Sequence, residues 1–194
     1  MVINAKTVQR LMQESGLKSR VRLRKYRSYK GDLCAAVPNV LARQFKATRP
    51  QQKWVTDVTE FNVRGDKLYL SPVMDLFNGE IVAYQMNRRP DFTLVSRMLQ
   101  KALVRLAGPD KPLLHSDQGW QYQMPAYRRQ LERHGLTQSM SRKGNCLDNA
   151  AMESFFGTLK SEFFYLEQFD SVEQLQQGLH RYIRYYNHER ISLR

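Results

Sequence analysis

The 194-residue chain is short of several things, and each shortage excludes a class of protein. It has two cysteines, Cys34 and Cys146. They show neither CxxC spacing nor histidines at finger-like offsets, so no disulfide framework and no structural zinc site is expected, only plain thiols. No apolar run approaches the roughly 18 to 20 residues a membrane span needs, and MVINAKTVQR lacks a signal-peptide core. The expected location is therefore the cytoplasm, without a membrane partner. No internal repeat is visible. The 42% hydrophobic content suits a folded globular chain and argues against a disordered one.

Acidic residues are scarce in one place. Thirteen of the 31 Lys and Arg residues fall within residues 1–53, where only Glu14 and Asp32 are acidic, so nearly all of the +13 net charge lies in the first quarter of the chain. The densest stretch is KSRVRLRKYRSYK at 18–30, with Lys18, Arg20, Arg22, Arg24, Lys25, Arg27 and Lys30 interleaved with Tyr26 and Tyr29. Basic side chains bind phosphates by releasing counterions, and tyrosines add stacking or a phosphate hydrogen bond. Nucleic acid is the first partner to expect and an anionic membrane surface the second.

Periodicity then divides the chain. Residues 4–15 read as a short helix with Asn4 as N-cap, an apolar face of Val8, Leu11 and Met12, and Gly16 at its end. Such a face cannot be buried by one helix alone. Residues 18–52 read as a basic connector and Trp54 as the start of the main domain, which gives units at 1–17, 18–52 and 53–194. From there KWVTDVTEFNV (53–63), KLYLSPVMDLF (67–77) and EIVAYQMN (80–87) alternate like strands joined by RGD and NG turns. A helix at 92–107, a short strand at 111–117, a helix near 125–134, a strand near 136–141 and two final helices follow. The order βββαβαβαα implies a mixed α/β fold, with three antiparallel strands extended by parallel ones whose crossovers are helices.

Two carboxylates stand out on that sheet. Asp57 interrupts an otherwise apolar strand, where an acid is costly unless paired. Asp117 ends the fourth strand, where sheets of this kind open a ligand crevice. If those strands are neighbours, the acids lie side by side, and clustered oxygen ligands suit Mg²⁺ or Mn²⁺. A third ligand must come from elsewhere. RKGNCLDNAAMESFFGTLKSE (142–162) offers Asp148, Glu153 and Glu162. At about 100° per residue, Met152, Phe156, Leu159 and Phe163 form one stripe, with Asn149, Glu153 and Lys160 along its edge; Glu162 points about 180° from Glu153, and Asp148 suits an N-cap. Glu153 therefore borders the core on an approachable edge, although a surface glutamate is the commoner origin of such a position. His115 either helps at the site or is structural, Asp75 is a structural acid easily confused with a ligand, and Trp54, Trp120 and Tyr122 read as packing residues. A tyrosine-recombinase reading of HRYIRYYNHER (180–190) lacks a distant Arg-His set.

WVTDVTEF, HSDQGWQY and SMSRKGNCLDNAAMESFFGTLKSE closely resemble the catalytic core of bacterial insertion-sequence transposases of the retroviral-integrase-like type. The likeness spans about residues 50–191, with three motifs in order and 35 residues between Asp117 and Glu153. It implies an RNase H-like mixed five-stranded sheet flanked by helices and preceded by a basic helical arm. It also implies that Asp57, Asp117 and Glu153 are both catalytic residues and ligands of two Mg²⁺ (or Mn²⁺), with Asp57 bridging the two ions. The activity implied is metal-dependent DNA cleavage and strand transfer during transposition. Its partners would be element ends and target DNA, engaged by a homo-oligomer associated with the nucleoid when bound. Arg142, Lys143, Asn149 and Lys160 join the basic arm as expected DNA contacts. Residues 4–17 resemble the end of a helix-turn-helix region, and the chain stops before the tail usual in relatives. A copy shortened at both ends with its triad intact is the expectation; the alternatives are a non-catalytic DNA-binding derivative and an RNase H-like nuclease.

Overall fold

A computed structural model describes residues 4–17, 37–106, 108–142 and 146–191. The basic stretch 18–30, Cys34 and Lys143 lie outside the described residues. The first helix, α1 (Ala5–Glu14), begins as expected: the Asn4 side chain accepts from the Lys6 amide, and Gly16 takes a left-handed φ of 68°. Val8, Leu11 and Met12 on its apolar face are exposed.

The main domain is a mixed sheet between two helical layers. Its strands are β1 (Lys53–Thr56), β2 (Thr59–Val63), β3 (Asp66–Asp75), β4 (Ile81–Asn87), β5 (Leu113–Ser116) and β6 (Thr137–Met140). Six strands are present where five were expected, because the segment 53–63 is broken at Asp57 and Val58. The break does not shift its register: Trp54 faces Asp75, Thr56 faces Val73, Thr59 faces Leu70 and Val63 faces Asp66 across β3. β1 and β2 therefore share one position along one edge of β3, while β4 occupies the other edge. β5 lies parallel to β1, and β6 parallel to β5. The antiparallel meander and the parallel additions both match the sequence reading. The turn between β2 and β3 uses positive φ at Arg64 and Gly65, values of 52° and 100°, which suit a tight hairpin.

Alternation along the strands sends neighbours to opposite layers. Trp54 and Val73 pack with Val95, Met98 and Leu99 of α2 (Phe92–Val104), Tyr122 of α3 (Trp120–Gln123) and Tyr127 and Leu131 of α4 (Pro125–Arg133). Val55, Leu70 and Met74 pack instead with Met152, Phe155 and Leu159 of α5 (Ala150–Leu159) and with Leu175 and Leu179 of α6 (Val172–His188). Burying one such side chain contributes about 1.5–3 kcal/mol, so truncating Leu99 or Leu159 to Ala is expected to cost about 2–5 kcal/mol. The Met152, Phe156, Leu159 and Phe163 stripe is buried as helix geometry requires. α5 then widens into a π-helical turn at Lys160–Phe164, an irregularity often associated with functional sites.

Candidate active site

Asp57 and Asp117 each follow directly on the end of a strand. Because Val55 pairs with His115 in the parallel β1–β5 ladder, Asp57 and Asp117 stand in step with each other, two residues beyond the last pair the ladder makes. Asp57 Oδ1 accepts from the Val58 amide at 2.7 Å, and Asp117 Oδ1 accepts from the Gly119 amide at 2.9 Å. Among the described residues, no protein group donates to the second oxygen of either. Burial pushes the Asp57 carboxyl well above its usual range, and the neighbouring charges of Asp117 and Glu153 push it further, against a smaller lowering by Lys160. Burial likewise raises Asp117. Tyr122 is fully buried close to both acids, and burial followed by the Asp117 and Asp57 charges holds its ionisation far above the usual phenol range.

Glu153 enters from the first turn of α5. Its side chain is exposed, and its carboxyl is raised by partial burial. Its charge is felt at Asp57, but among the described residues no three His, Cys, Asp or Glu side chains stand together as a group that could hold a metal ion. The structure thus brings Asp57 and Asp117 together and leaves Glu153 apart from them in the first turn of α5, near enough for its charge to raise Asp57. Two crowded acids, each with an oxygen that accepts no protein hydrogen bond among the described residues, fit a divalent cation, which relieves their repulsion while leaving both ionised.

The other acids near the site are committed elsewhere. Asp148 does not cap α5, as its sequence position suggested; its fully buried carboxylate accepts from Arg142, Arg43 and Asn39. Glu162 receives both Nε and Nη2 of Arg190 and the Tyr182 hydroxyl. Asp75 is buried and accepts the Gln51 and Phe77 amides, a structural acid as expected. His115 is fully buried between the hydroxyls of Ser139 and Ser141, at 2.8 and 3.1 Å, and burial lowers its pKa to about 4. These hydrogen bonds join β5 to the end of β6.

Two expected DNA contacts are placed differently. Asn149 is buried and donates to the Thr56 carbonyl at 3.2 Å, which ties α5 to the residue before Asp57 and removes the side chain from solvent. Arg142 directs Nε and Nη2 at Asp148, at 3.0 and 2.9 Å, so much of its donor set is taken. Lys160 ends α5 with its ammonium 5.4 Å from the Phe61 ring centroid, close enough to lower Asp57 and Glu60. Of the three aromatics read as packing residues, Trp54 and Tyr122 are buried, but Trp120, three residues after Asp117, is half exposed. Asn39 and Arg43 escaped the sequence reading altogether, since nothing local to residues 39 and 43 signals a partner at position 148.

Residues 47–146 match the integrase core domain family, and residues 134–191 match a second integrase core domain family. A putative transposase, InsK, for insertion sequence element IS150 of Escherichia coli K12 is 56% identical over 192 residues, covering 99% of this chain and 68% of that protein. The chain belongs to the bacterial insertion-sequence transposases with an integrase core. A transposase-like protein of Haemophilus influenzae is also 56% identical, over 98% of this chain and 88% of its own length. The transposase InsF of IS3A from Escherichia coli K12 shares 37% identity over 93% of this chain and 63% of its own. Among solved structures, a chain of the simian T-cell lymphotropic virus intasome superposes with a TM-score of 0.66 at 18% identity, covering 76% of this transposase and 52% of that chain. The HTLV-2 integrase catalytic core in complex with magnesium gives a TM-score of 0.59 at 16% identity, covering 75% and 92%. These two likenesses establish the RNase H-like fold and nothing finer. No helix among the described residues is long and apolar enough to cross a membrane.

Proposed function

We propose that this transposase chain cuts and joins DNA strands at the Asp57, Asp117 and Glu153 site, using a pair of Mg²⁺ or Mn²⁺ ions. The observation that carries the reading is the pair of carboxylates at adjacent parallel strand ends, each raised by burial, with the charge of Glu153 on α5 also felt at Asp57. Divalent ions held by such acids activate an attacking oxygen and stabilise the leaving oxygen of a phosphodiester. Asp57, central among the three charges, would bridge, while Asp117 and Glu153 would each complete one side. The magnesium in the HTLV-2 integrase core, which shares this fold, is consistent with that choice.

The chain's own residues supply binding and orientation. Lys160, just after the helix that carries Glu153, would meet a phosphate close to the scissile bond. The basic segment 18–30 supplies up to seven further phosphate contacts, and element ends and target DNA are the substrates engaged by a homo-oligomer in the cytoplasm, at the nucleoid. Removing residues 18–30 should weaken DNA binding across sequences and reduce the salt slope by up to about six. An unchanged slope would count against the arm.

The deciding experiment combines the purified chain, Mg²⁺ and a pre-cut DNA end. Joined products that disappear with Glu153→Gln support strand transfer. Cutting without joining identifies a nuclease on the same fold. DNA binding indifferent to Mg²⁺ and to the substitution, with no reaction, identifies a DNA-binding derivative.

A further inference from the structure

The Asp148 carboxylate is a crossing point of three chain segments. It has no exposed surface and receives five donors: Asn39 Nδ2 at 2.9 Å, Arg43 Nε at 2.9 Å, and the backbone N, Nε and Nη2 of Arg142 at 2.9, 3.0 and 2.9 Å. Asn39 and Arg43 come from the segment that enters the domain, whereas Arg142 follows β6. Asp148 itself lies in the 3-10 turn Cys146–Asn149 that leads into α5. The next residue, Asn149, donates to the Thr56 carbonyl beside Asp57. One dipeptide therefore fastens the start of α5 at two points, to the sheet and to a cluster of cations.

These attachments matter because α5 has no local one. Its N-cap position makes no side-chain hydrogen bond, so the first amides lack the usual restraint against fraying. Glu153 lies in that same first turn. A ligand carried on an unrestrained helix end would sample many distances from the carboxylate pair, and outer partners that fix a ligand commonly govern metal affinity. Charge-assisted bonds to a buried carboxylate are the strong kind, and a guanidinium that binds through two nitrogens fixes direction as well as distance.

We propose that Asp148, held by Arg142, Arg43 and Asn39, is a positioning residue that sets the start of α5 and so places Glu153 against Asp57 and Asp117. The proposal rests on the reading of those three acids as metal ligands. Asn39 and Arg43 make the entering segment part of the same device, so the site depends on residues more than 100 positions upstream of Glu153.

The test uses the full chain and two readouts: hydrogen exchange across α5 in metal-free protein, and Mn²⁺ affinity measured by electron paramagnetic resonance. Asp148→Asn should speed exchange in the first two turns of α5 while leaving the β1–β3 ladder unchanged, and should weaken Mn²⁺ binding about tenfold or more. Arg43→Gln, which removes one donor from a half-exposed side chain, should move both readouts in the same direction by less, and it decides the matter if Asp148→Asn does not fold. Glu153→Gln should weaken Mn²⁺ binding without altering exchange. Unchanged protection of α5 in the folded pin variants overturns the proposal and leaves the ligand reading standing. Faster exchange with unchanged Mn²⁺ affinity also overturns it, because the network would then be merely structural. A wild-type chain that binds no Mn²⁺ overturns the ligand reading itself, and the positioning role with it.

Discussion

Asp57 and Asp117 stand in step, each the first residue beyond its strand in a parallel pair, although 59 residues separate them in sequence. Parallel strands place their carboxyl ends on one side of a sheet, so two acids at equivalent positions must share a crevice there. Both are raised by burial, and Asp57 is raised further by the charge of its neighbour. With both acids ionised, the arrangement is unfavourable until a cation enters.

Mg²⁺ should therefore stabilise the wild-type chain against heat. At a hundredfold excess over its dissociation constant, an ion that binds only the folded state adds about 2.7 kcal/mol. Asp57→Asn should abolish most of that gain and raise the stability of the metal-free protein, because it removes one of the crowded charges. Thermal unfolding with and without Mg²⁺ checks both; an Asp57→Asn chain that still gains the full increment would remove Asp57 from the site.

Gly119 gives a second test. A Cβ there would lie 2.9 Å from Asp117 Oδ1 and 3.0 Å from Gln121 Oε1, so Gly119→Ala must displace the carboxylate that its own amide holds. The expected outcome is weakened Mn²⁺ binding and strand joining, with stability lowered by about 1–3 kcal/mol. Calorimetric titration with Mn²⁺ gives the first quantity and urea unfolding the second.

Asp75 should behave in the opposite way. Asp75→Ala leaves the Gln51 and Phe77 amides without their acceptor, at a cost of about 2 kcal/mol in stability. The Mg²⁺-dependent rise in melting temperature should persist. Its disappearance in a folded variant would reassign the ligands.

Acid should weaken the clamp on α5. The Arg142 hydrogen bonds hold the Asp148 carboxyl well below the usual carboxylate range. A depressed folded value means that the stabilisation is complete above the unfolded pKa of about 3.9 and is lost as pH falls through the folded one. Asp148→Asn should be less stable than wild type by about 2–3 kcal/mol at neutral pH, and the difference should shrink below about pH 4. Urea midpoints for the two proteins between pH 3 and 7 would show it; a constant difference would contradict the charged role of Asp148.

Much of this was legible beforehand. Alternation and turn chemistry gave the strands, and the helical stripe of Met152, Phe156, Leu159 and Phe163 separated Glu153 from Glu162. Other features were not readable. The interruption at Asp57 and Val58 does not change register, so only ladder bonding reveals it. Asp148 looks like a helix cap because its nearest amides in sequence are those of α5, yet Arg142, Arg43 and Asn39 outcompete them through space. Asn149, on the same edge as Glu153, reads from the sequence as open to DNA, whereas in the fold its side chain donates to the Thr56 carbonyl.

By itself, the sequence determined which residues can be buried and in what period, where the cationic charge accumulates, and that three acids are set in recognisable motifs with a spacing typical of one transposase family. Those properties are local, fixed by side-chain chemistry and backbone periodicity. The tertiary structure decided which acids meet. β1 and β5 pair in parallel, which puts Asp57 beside Asp117, while Asp75 and His115 point into backbone and serine contacts. It also decided how Glu153 is held, because the partners of Asp148 include Asn39 and Arg43, more than 100 positions away in sequence and brought to it only by folding.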